Sequence, residues 1–124
     1  RFAGVDLRAL QRVDVVISYQ GADGVLIDAA VAAGARGIVS AGTGAGYPTP
    51  GEVEALERAT AAGVTVVQAT RVGAGRVPAV GSLIARGWIA AGDLPPWKAR
   101  ILIRLALAAG FTDRDELQAL FYEG

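Results

Sequence analysis

One stretch decides the fold: residues 36–62 read RGIVSAGTGAGYPTPGEVEALERATAA. The short apolar run at 38–41, set between glycines, is typical of a buried strand. Alternate glycines from 42 to 46 then form a loop, and a helix follows, where Thr49 and Glu52 have the spacing of a capping box around a proline. Open α/β sheets usually bind ligands at such a loop, between the carboxyl end of a strand and a helix, so we expect the candidate site here.

Two further apolar, β-branched runs predict strands at residues 13–18 (VDVVIS) and 64–69 (VTVVQA). The spacing predicts a helix over residues 23–33, with Asp23 as its N-cap. Three strands alternating with two helices indicate a βαβαβ unit with a parallel sheet. The predicted fold is therefore α/β, a three-layer α-β-α domain with a small, mainly parallel sheet of the Rossmann or flavodoxin-like kind.

Helical periodicity also predicts which side chains are buried. For the first helix the predicted apolar face consists of Ala22, Leu26, Ala29, Ala30 and Ala33. For the second helix it consists of Val53, Leu56, Ala59 and Thr60, and the residues predicted to stay in water are Glu52, Glu54, Glu57 and Arg58.

The C-terminal half is predicted in less detail. Residues 70–92 form a long connection in which 83–84 and 88–89 are interpreted as a turn of helix and a short strand. A helix is predicted over 96–109, with an apolar face of Ile101, Leu102, Leu105, Ala106 and Ala109. A last short helix docks through Leu117, Leu120 and Phe121. Residues 1–12 are interpreted as a linker or approach segment, and residues 13–124 as one domain.

Composition excludes several classes of function. The chain has 124 residues, 52% of them hydrophobic, a formal net charge of zero, no Cys and no His. Disulfides, Cys or His nucleophiles and nearly all zinc sites are therefore excluded. No basic run indicates nucleic acid as the main partner, and no apolar run is long enough for a membrane span. A carboxylate site for Mg²⁺ or Ca²⁺ stays open in principle, but no acidic cluster has the spacing for one. The absence of Met leads us to expect a piece of a longer protein, and a cytoplasmic location is the default.

The glycine loop could cradle a phosphate, but both common fingerprints fail. The dinucleotide pattern requires glycine where Tyr47 stands, and no Lys-Ser or Lys-Thr pair completes a P-loop. A tight turn that lets the strand and the helix pack is the simpler interpretation.

Other polar residues carry a functional and a structural interpretation. Tyr19 or Asp23 could touch a ligand, although helix capping alone explains Asp23. Arg71 and Arg76 could bind a carboxylate or pair with nearby acids. Lys98 could act as a base only if burial lowered its pKa. The hydroxyl side chains lack a neighbouring base motif, so we assign no catalytic residue.

Four ordered segments together resemble the C-terminal domain of the bacterial-type L-asparaginases. The segments are YQGAD at 19–23, GIVSAGTGAG at 37–46, GVTVV at 63–67 leading to Thr70-Arg71, and AGDLPPWKARIL at 91–102. The resemblance implies the smaller α/β domain of a two-domain amidohydrolase, which converts L-asparagine to L-aspartate and ammonia without metal or cofactor. It places the Thr nucleophile in an N-terminal domain, in motifs that this chain lacks, so we expect the isolated chain to be inactive.

The resemblance also implies partners and site residues. The domain is expected to pack on its own N-terminal domain and to complete the active site of a neighbouring subunit in an intimate dimer, two of which form a tetramer. The loop expected beside the amino acid substrate contains Gly44, Gly46 and Tyr47, with Tyr47 where many members carry Asn; a Glu of the family near Val80 has no counterpart. Structural or domain contacts are expected from Tyr19, Asp23, Arg71, Lys98 and Arg100.

Three alternatives remain open at this point. The chain could be a free-standing binding or dimerisation module that kept the fold and lost catalysis. It could belong to the archaeal glutamyl-tRNA amidotransferase subunit, which shares the domain. It could also be a Rossmann-like nucleotide binder, if the glycine loop holds phosphate.

Overall fold

The computed structural model describes residues 2, 4–44, 46–72, 76–79 and 81–123, with the backbone alone for Tyr122 and Glu123. A 3-10 turn (Leu7–Ala9) precedes the other elements. In chain order these are β1 (Val13–Ile17), α1 (Val25–Ala32), β2 (Gly37–Gly42), α2 (Pro50–Ala61), β3 (Thr65–Thr70), α3 (Gly81–Ala85), β4 (Ile89–Ala90), α4 (Pro96–Ala108) and α5 (Arg114–Glu123).

In the described residues the four strands form one parallel sheet in the order β1-β2-β3-β4. Ser40 of β2 lies between Val16 of β1 and Gln68 of β3, and Ala90 of β4 lies beyond Gln68. The order advances in one direction, so the described sheet has no strand reversal of the kind that opens a ligand crevice in Rossmann folds. The predicted parallel α/β architecture is confirmed.

Two cores lie on opposite faces of the sheet, because successive strand residues point to opposite sides. On one face Ile38 and Val66 pack with residues of α1, α2 and α3. On the other face Val39 and Val67 pack with α4 and α5, where Leu117, Leu120 and Phe121 are buried as predicted. The molecule therefore has the predicted three α-β-α layers.

The start of α2 confirms one prediction and contradicts another. Thr49 and Glu52 form a complete capping box, and Pro50 is the first helical residue. Glu52 was predicted to lie in water, but its side chain is buried, with 1% of its surface exposed. The Glu52 side chain folds back to cap its own helix, and in this position it also contacts Ser18, the residue after β1.

The predictions for α1 were wrong in two respects. Gly24 occupies the N-cap position, and Asp23 instead accepts a hydrogen bond from the Val25 amide (3.1 Å), a short turn just before the helix. Ala22 and Ala30 are buried as predicted, but Ile27 is buried as well, and the predicted Leu26, Ala29 and Ala33 are exposed. Because α1 lies over β1, the outer strand of the described sheet, none of the described strands covers that side of the helix.

The predicted apolar face of α4 was right only in part, since Ala106 is buried as predicted and Leu102 packs partly buried against the core. The buried positions are Pro96, Ala99, Ile103 and Ala106, and Ile101 is exposed. The helix is apolar nearly all round, so periodicity alone does not fix its rotation. Two arginines one turn apart fix it: Arg100 donates to the Val13 carbonyl (2.7 Å) and Arg104 to the Gln11 carbonyl (3.0 Å).

The two outer strands of the sheet differ. The Gln118 amide of α5 occupies both backbone groups of Ala90 in β4, accepting from its N–H (2.8 Å) and donating to its carbonyl (2.9 Å). At β1 the outer side carries the Arg12–Asp14 ion pair (2.9 Å), whose hydrogen bond raises the pKa of Arg12.

No helix of the described residues is long and apolar enough to cross a membrane.

Candidate functional site

Three strand ends meet at a shallow depression on the carboxyl edge of the sheet. Its volume is about 340 Å³, and it opens to solvent between the loops after β1, β2 and β3. The lining residues are Ser18, Tyr19, Gln20, Gly21, Thr43, Tyr47, Pro48, Thr49 and Arg71. Three of the residues singled out in the sequence, Tyr19, Tyr47 and Arg71, are thus brought together.

The loop after β2 is a tight turn held by its own backbone. The Gly46 and Tyr47 amides both donate to the Thr43 carbonyl (2.9 and 3.0 Å), and the Thr43 amide donates to the Tyr47 carbonyl (3.2 Å). A Cβ at Gly42 would lie 2.5 Å from the Gly46 carbonyl oxygen, so only glycine fits there. Gly44 lies at the exposed tip, with a φ of +52°.

These bonds argue against a phosphate cradle. Three backbone amides of the loop are already donated within the turn. At the start of α2 the Thr49 hydroxyl accepts from the Glu52 amide (3.2 Å), and the Glu52 carboxylate accepts from the Thr49 amide (3.0 Å). An anion at this helix end would have to displace a carboxylate of the chain, which removes the main support for the nucleotide alternative.

Glu52 joins the loop after β1 to the start of α2, a role that the sequence analysis missed. Its Oε1 accepts from the Ser18 hydroxyl at 2.6 Å, and both side chains are buried. Thr49 adds a second link, because its hydroxyl donates to the Ala22 carbonyl (2.5 Å). The signal was present in the sequence, since the glutamate of a capping box is committed to the first turn.

Ser18 and Glu52 resemble a nucleophile with its base, but their burial excludes that role. A substrate on the surface cannot reach a hydroxyl that is 1% exposed, and the same carboxylate oxygen is shared with the Thr49 amide. The described residues also contain no group of three or more acidic side chains that could hold a metal ion. The exposed Thr43 hydroxyl, which also lines the depression, donates to the Tyr47 carbonyl (3.5 Å) and has no hydrogen bond to an acidic side chain of the described residues. The described lining therefore offers recognition groups and no nucleophile paired with a base.

Those recognition groups are two phenols and a guanidinium. Tyr47 is 66% exposed and Tyr19 is 53% exposed. The exposed Arg71 side chain has no hydrogen bond or ion pair to any described residue, while its backbone amide donates to the Gly42 carbonyl (2.9 Å). A free guanidinium presents a fork of donors that matches a carboxylate.

The other predicted residues lie elsewhere or serve the scaffold. Asp23 closes the turn before α1, and Arg76 pairs with Asp93 (3.2 Å). Arg100 bonds to Val13, the first residue of β1, at the amino end of the sheet. Lys98 is exposed on α4 and does not line the depression. Val80, near which the family's Glu is expected, lies outside the described residues.

Comparison with known families identifies the domain. Residues 12–121 match the family model of the glutaminase/asparaginase C-terminal domain. The chain belongs to this family.

Individual relatives agree with this assignment. L-asparaginase 2 of Bacillus subtilis is 39% identical over 98% of this chain, and that of Escherichia coli is 35% identical over 93%. A solved structure of a probable cytoplasmic L-asparaginase from Campylobacter jejuni matches 94% of the chain at 37% identity, with a TM-score of 0.88.

The match covers part of each relative. The chain spans 32% of the B. subtilis protein and 38% of the C. jejuni chain. The resemblance to the asparaginase C-terminal domain, stated from the sequence segments, is confirmed, as is the α/β fold it implied.

Proposed function

We propose that this chain is the C-terminal domain of an L-asparaginase, a protein that hydrolyses L-asparagine to L-aspartate and ammonia. One observation supports this most: a family domain of asparaginases presents exposed Tyr47, Tyr19 and Arg71 around one depression whose described lining contains no nucleophile paired with a base. Such a surface can bind and enclose an amino acid, and the chemistry must come from another domain.

In this proposal the N-terminal domain of the parent protein supplies the Thr nucleophile, and this domain closes the active site of a neighbouring subunit. Gly44 and Gly46 shape the turn, and Tyr47 reaches from it toward the substrate with its hydroxyl. Arg71 would bind a carboxylate of the substrate or of the facing subunit. Tyr19 and Asp23 would lie at the contact with the facing domain, and Lys98 and Arg100 would support contacts of α4.

The first test measures ammonia release from L-asparagine by the parent protein. Tyr47→Ala and Arg71→Ala should lower kcat/KM by tenfold or more, since a positioned recognition group contributes about 1.4 kcal/mol or more. Glu54→Ala, on the exposed outer side of α2, is the matched control and should leave kcat/KM unchanged. A parent protein with no asparaginase activity would refute the proposal.

The cross-subunit arrangement has its own test. Mixing subunits that carry Tyr47→Ala with subunits that carry an inactivated Thr nucleophile should restore activity in the mixed dimers. Each mixed dimer would contain one intact site built from both chains. If mixing restores nothing although mixed dimers form, this domain acts within its own subunit.

The 124-residue chain alone should release no ammonia above a boiled control. The binding-module alternative predicts that asparagine or aspartate raises the melting temperature of the isolated chain, because a ligand of the folded state stabilises it.

We propose a cytoplasmic location, since the C. jejuni relative is named as probable cytoplasmic, although a Haemophilus influenzae relative is named as periplasmic. Cell fractionation distinguishes the two.

A further inference from the structure

The outer side of β1 is an open hydrogen-bonding edge at its carboxyl end. Ser18, just after the strand, donates to a carbonyl of β2 (2.8 Å), and the backbone groups of a strand alternate between its two sides. Val13, Val15 and Ile17 therefore point their N–H and carbonyl groups away from β2. The Val13 carbonyl accepts from Arg100 (2.7 Å), whereas no hydrogen bond from another described residue reaches the outward groups of Val15 and Ile17.

A groove of about 560 Å³ follows this edge, with β1 as one wall and the outward side of α1 as the other. Ile17 on the strand and Leu26 on the helix are both more than half exposed. The two charged side chains of the groove, Arg12 and Asp14, are paired with each other (2.9 Å), so neither is left to attract a charged partner. Free backbone groups on one wall and apolar side chains on the other are the features that bind an extended strand.

A second folded copy of the chain does not fit this edge. The helix α1 lies over β1, so antiparallel pairing of two β1 edges would bring two copies of α1 together on one face of the sheet. Paired strands lie about 4.8 Å apart, whereas packed helices need about 8–10 Å between their axes. The helices would collide before the strands could bond. A single extended segment carries no such helix and fits between the edge and α1.

The relatives contain a large part that this chain lacks, and the groove leads to the candidate site. The chain spans 32% of the B. subtilis L-asparaginase 2 and 38% of the C. jejuni chain. Ile17 lines the groove, and the next residues, 18–21, line the depression at the carboxyl edge of the sheet. A segment bound along β1 would therefore end beside that depression.

We propose that the β1 edge binds an extended, mainly apolar segment from the N-terminal domain of the same polypeptide, as an additional strand of the sheet. The backbone of the segment bonds to Val15 and Ile17, and its side chains on one face pack against Leu26, Ala29 and Ala33. This docking holds the two domains in a fixed arrangement next to the depression. The inference rests on the proposed function, because it takes the chain as one domain of a larger protein.

Amide hydrogen exchange in the parent protein tests the pairing. The Ser18 amide, which bonds to β2, is the internal control for a bonded amide at the same strand end. If the segment is bound, the Val15 and Ile17 amides exchange within roughly tenfold of the Ser18 rate, whereas an open edge exchanges roughly a hundredfold faster or more. Fast exchange at Val15 and Ile17 overturns the proposal. Protection that is lost when the parent is diluted to monomers also overturns it, since a neighbouring subunit would then supply the strand.

A matched pair of variants tests the place of the segment. Ala29→Arg puts a long charged side chain on the exposed helix wall of the groove, and Ala32→Arg makes the same change on the same helix outside the groove. In the parent, Ala29→Arg should release the Val15 and Ile17 amides to fast exchange, and Ala32→Arg should not. Equal exchange in the two variants would mean that the segment does not occupy the groove.

Ammonia release from L-asparagine, measured on the same samples, separates this inference from the proposed function. An active parent with fast exchange at Val15 and Ile17 refutes the docking alone. An inactive parent in which these amides are protected refutes the asparaginase assignment alone.

Discussion

Glu52 offers the sharpest test of how the site is held together. Removing its carboxylate by Glu52→Ala deprives two donors of their acceptor, the Ser18 hydroxyl at 2.6 Å and the Thr49 amide at 3.0 Å. Both bonds end on the same oxygen, Oε1. Glu52→Gln retains an oxygen in that place and exchanges only the second carboxylate oxygen for nitrogen.

The expected magnitudes follow from these contacts. Hydrogen bonds to a charged group contribute about 1.5–3 kcal/mol each, and the Ser18 hydroxyl is too buried to recover its bond from water. The Thr49 amide is partly buried and recovers some of its loss. We therefore expect Glu52→Ala to lower the free energy of unfolding by about 3–5 kcal/mol, and Glu52→Gln by about 1 kcal/mol.

The assay is urea unfolding followed by circular dichroism, with Glu54→Ala as the control on the exposed side of the same helix. The control should change the free energy of unfolding by less than about 0.5 kcal/mol. If Glu52→Ala behaves like the control, the buried carboxylate does not anchor the β1 loop. If Glu52→Gln and Glu52→Ala lower the free energy of unfolding equally, the negative charge of Glu52 is what stabilises the fold, and an oxygen that only accepts the two hydrogen bonds is not enough.

Two further predictions concern backbone contact and helix rotation. Gly42→Ala should lower the free energy of unfolding by about 2–4 kcal/mol and disorder the turn, because its Cβ would lie 2.5 Å from backbone atoms. Gly44→Ala has open space around it and should lower the free energy of unfolding by about 1–2 kcal/mol, because alanine disfavours the positive φ of this position. Urea unfolding measures both losses, and equal values would contradict the close contact. Ile103→Ala, at a buried position, should lower the free energy of unfolding by about 3 kcal/mol, and Ile101→Ala, at an exposed one, by less than about 1 kcal/mol. Thermal unfolding measures both losses. A larger loss for Ile101→Ala would mean that the helix face predicted from periodicity is the buried one.

Local signals made the strand–loop–helix unit predictable. The capping box at Thr49 and the glycines of the turn depend on contacts between residues a few positions apart, so the local sequence is enough to predict them. The parallel pairing of the strands also followed, because helices of this length between strands leave few other connections.

Burial in α1 and α4 could be predicted only in part, because the rotation of each helix depends on contacts distant in sequence. Leu26 is exposed since α1 lies over an outer strand, a fact that no local pattern contains. The rotation of α4 depends on Arg100, which bonds to a carbonyl 87 residues away in sequence. The burial of Gln68 was missed for the same reason, since a polar residue type gives no sign of what surrounds it after folding.

The Gln118 amide has a consequence for how this protein can associate with other chains. A primary amide has the same donor and acceptor as a peptide bond, so Gln118 mimics one peptide unit of a fifth strand and ends the hydrogen-bond ladder beside Ala90. Strand exchange or templated aggregation that continues the ladder at that position must first displace α5. The opposite strand, β1, has no such amide among the described residues; it carries the Arg12–Asp14 ion pair near its start and the exposed Ile17 at its end. Fibre growth and domain swapping in this chain should therefore start at β1.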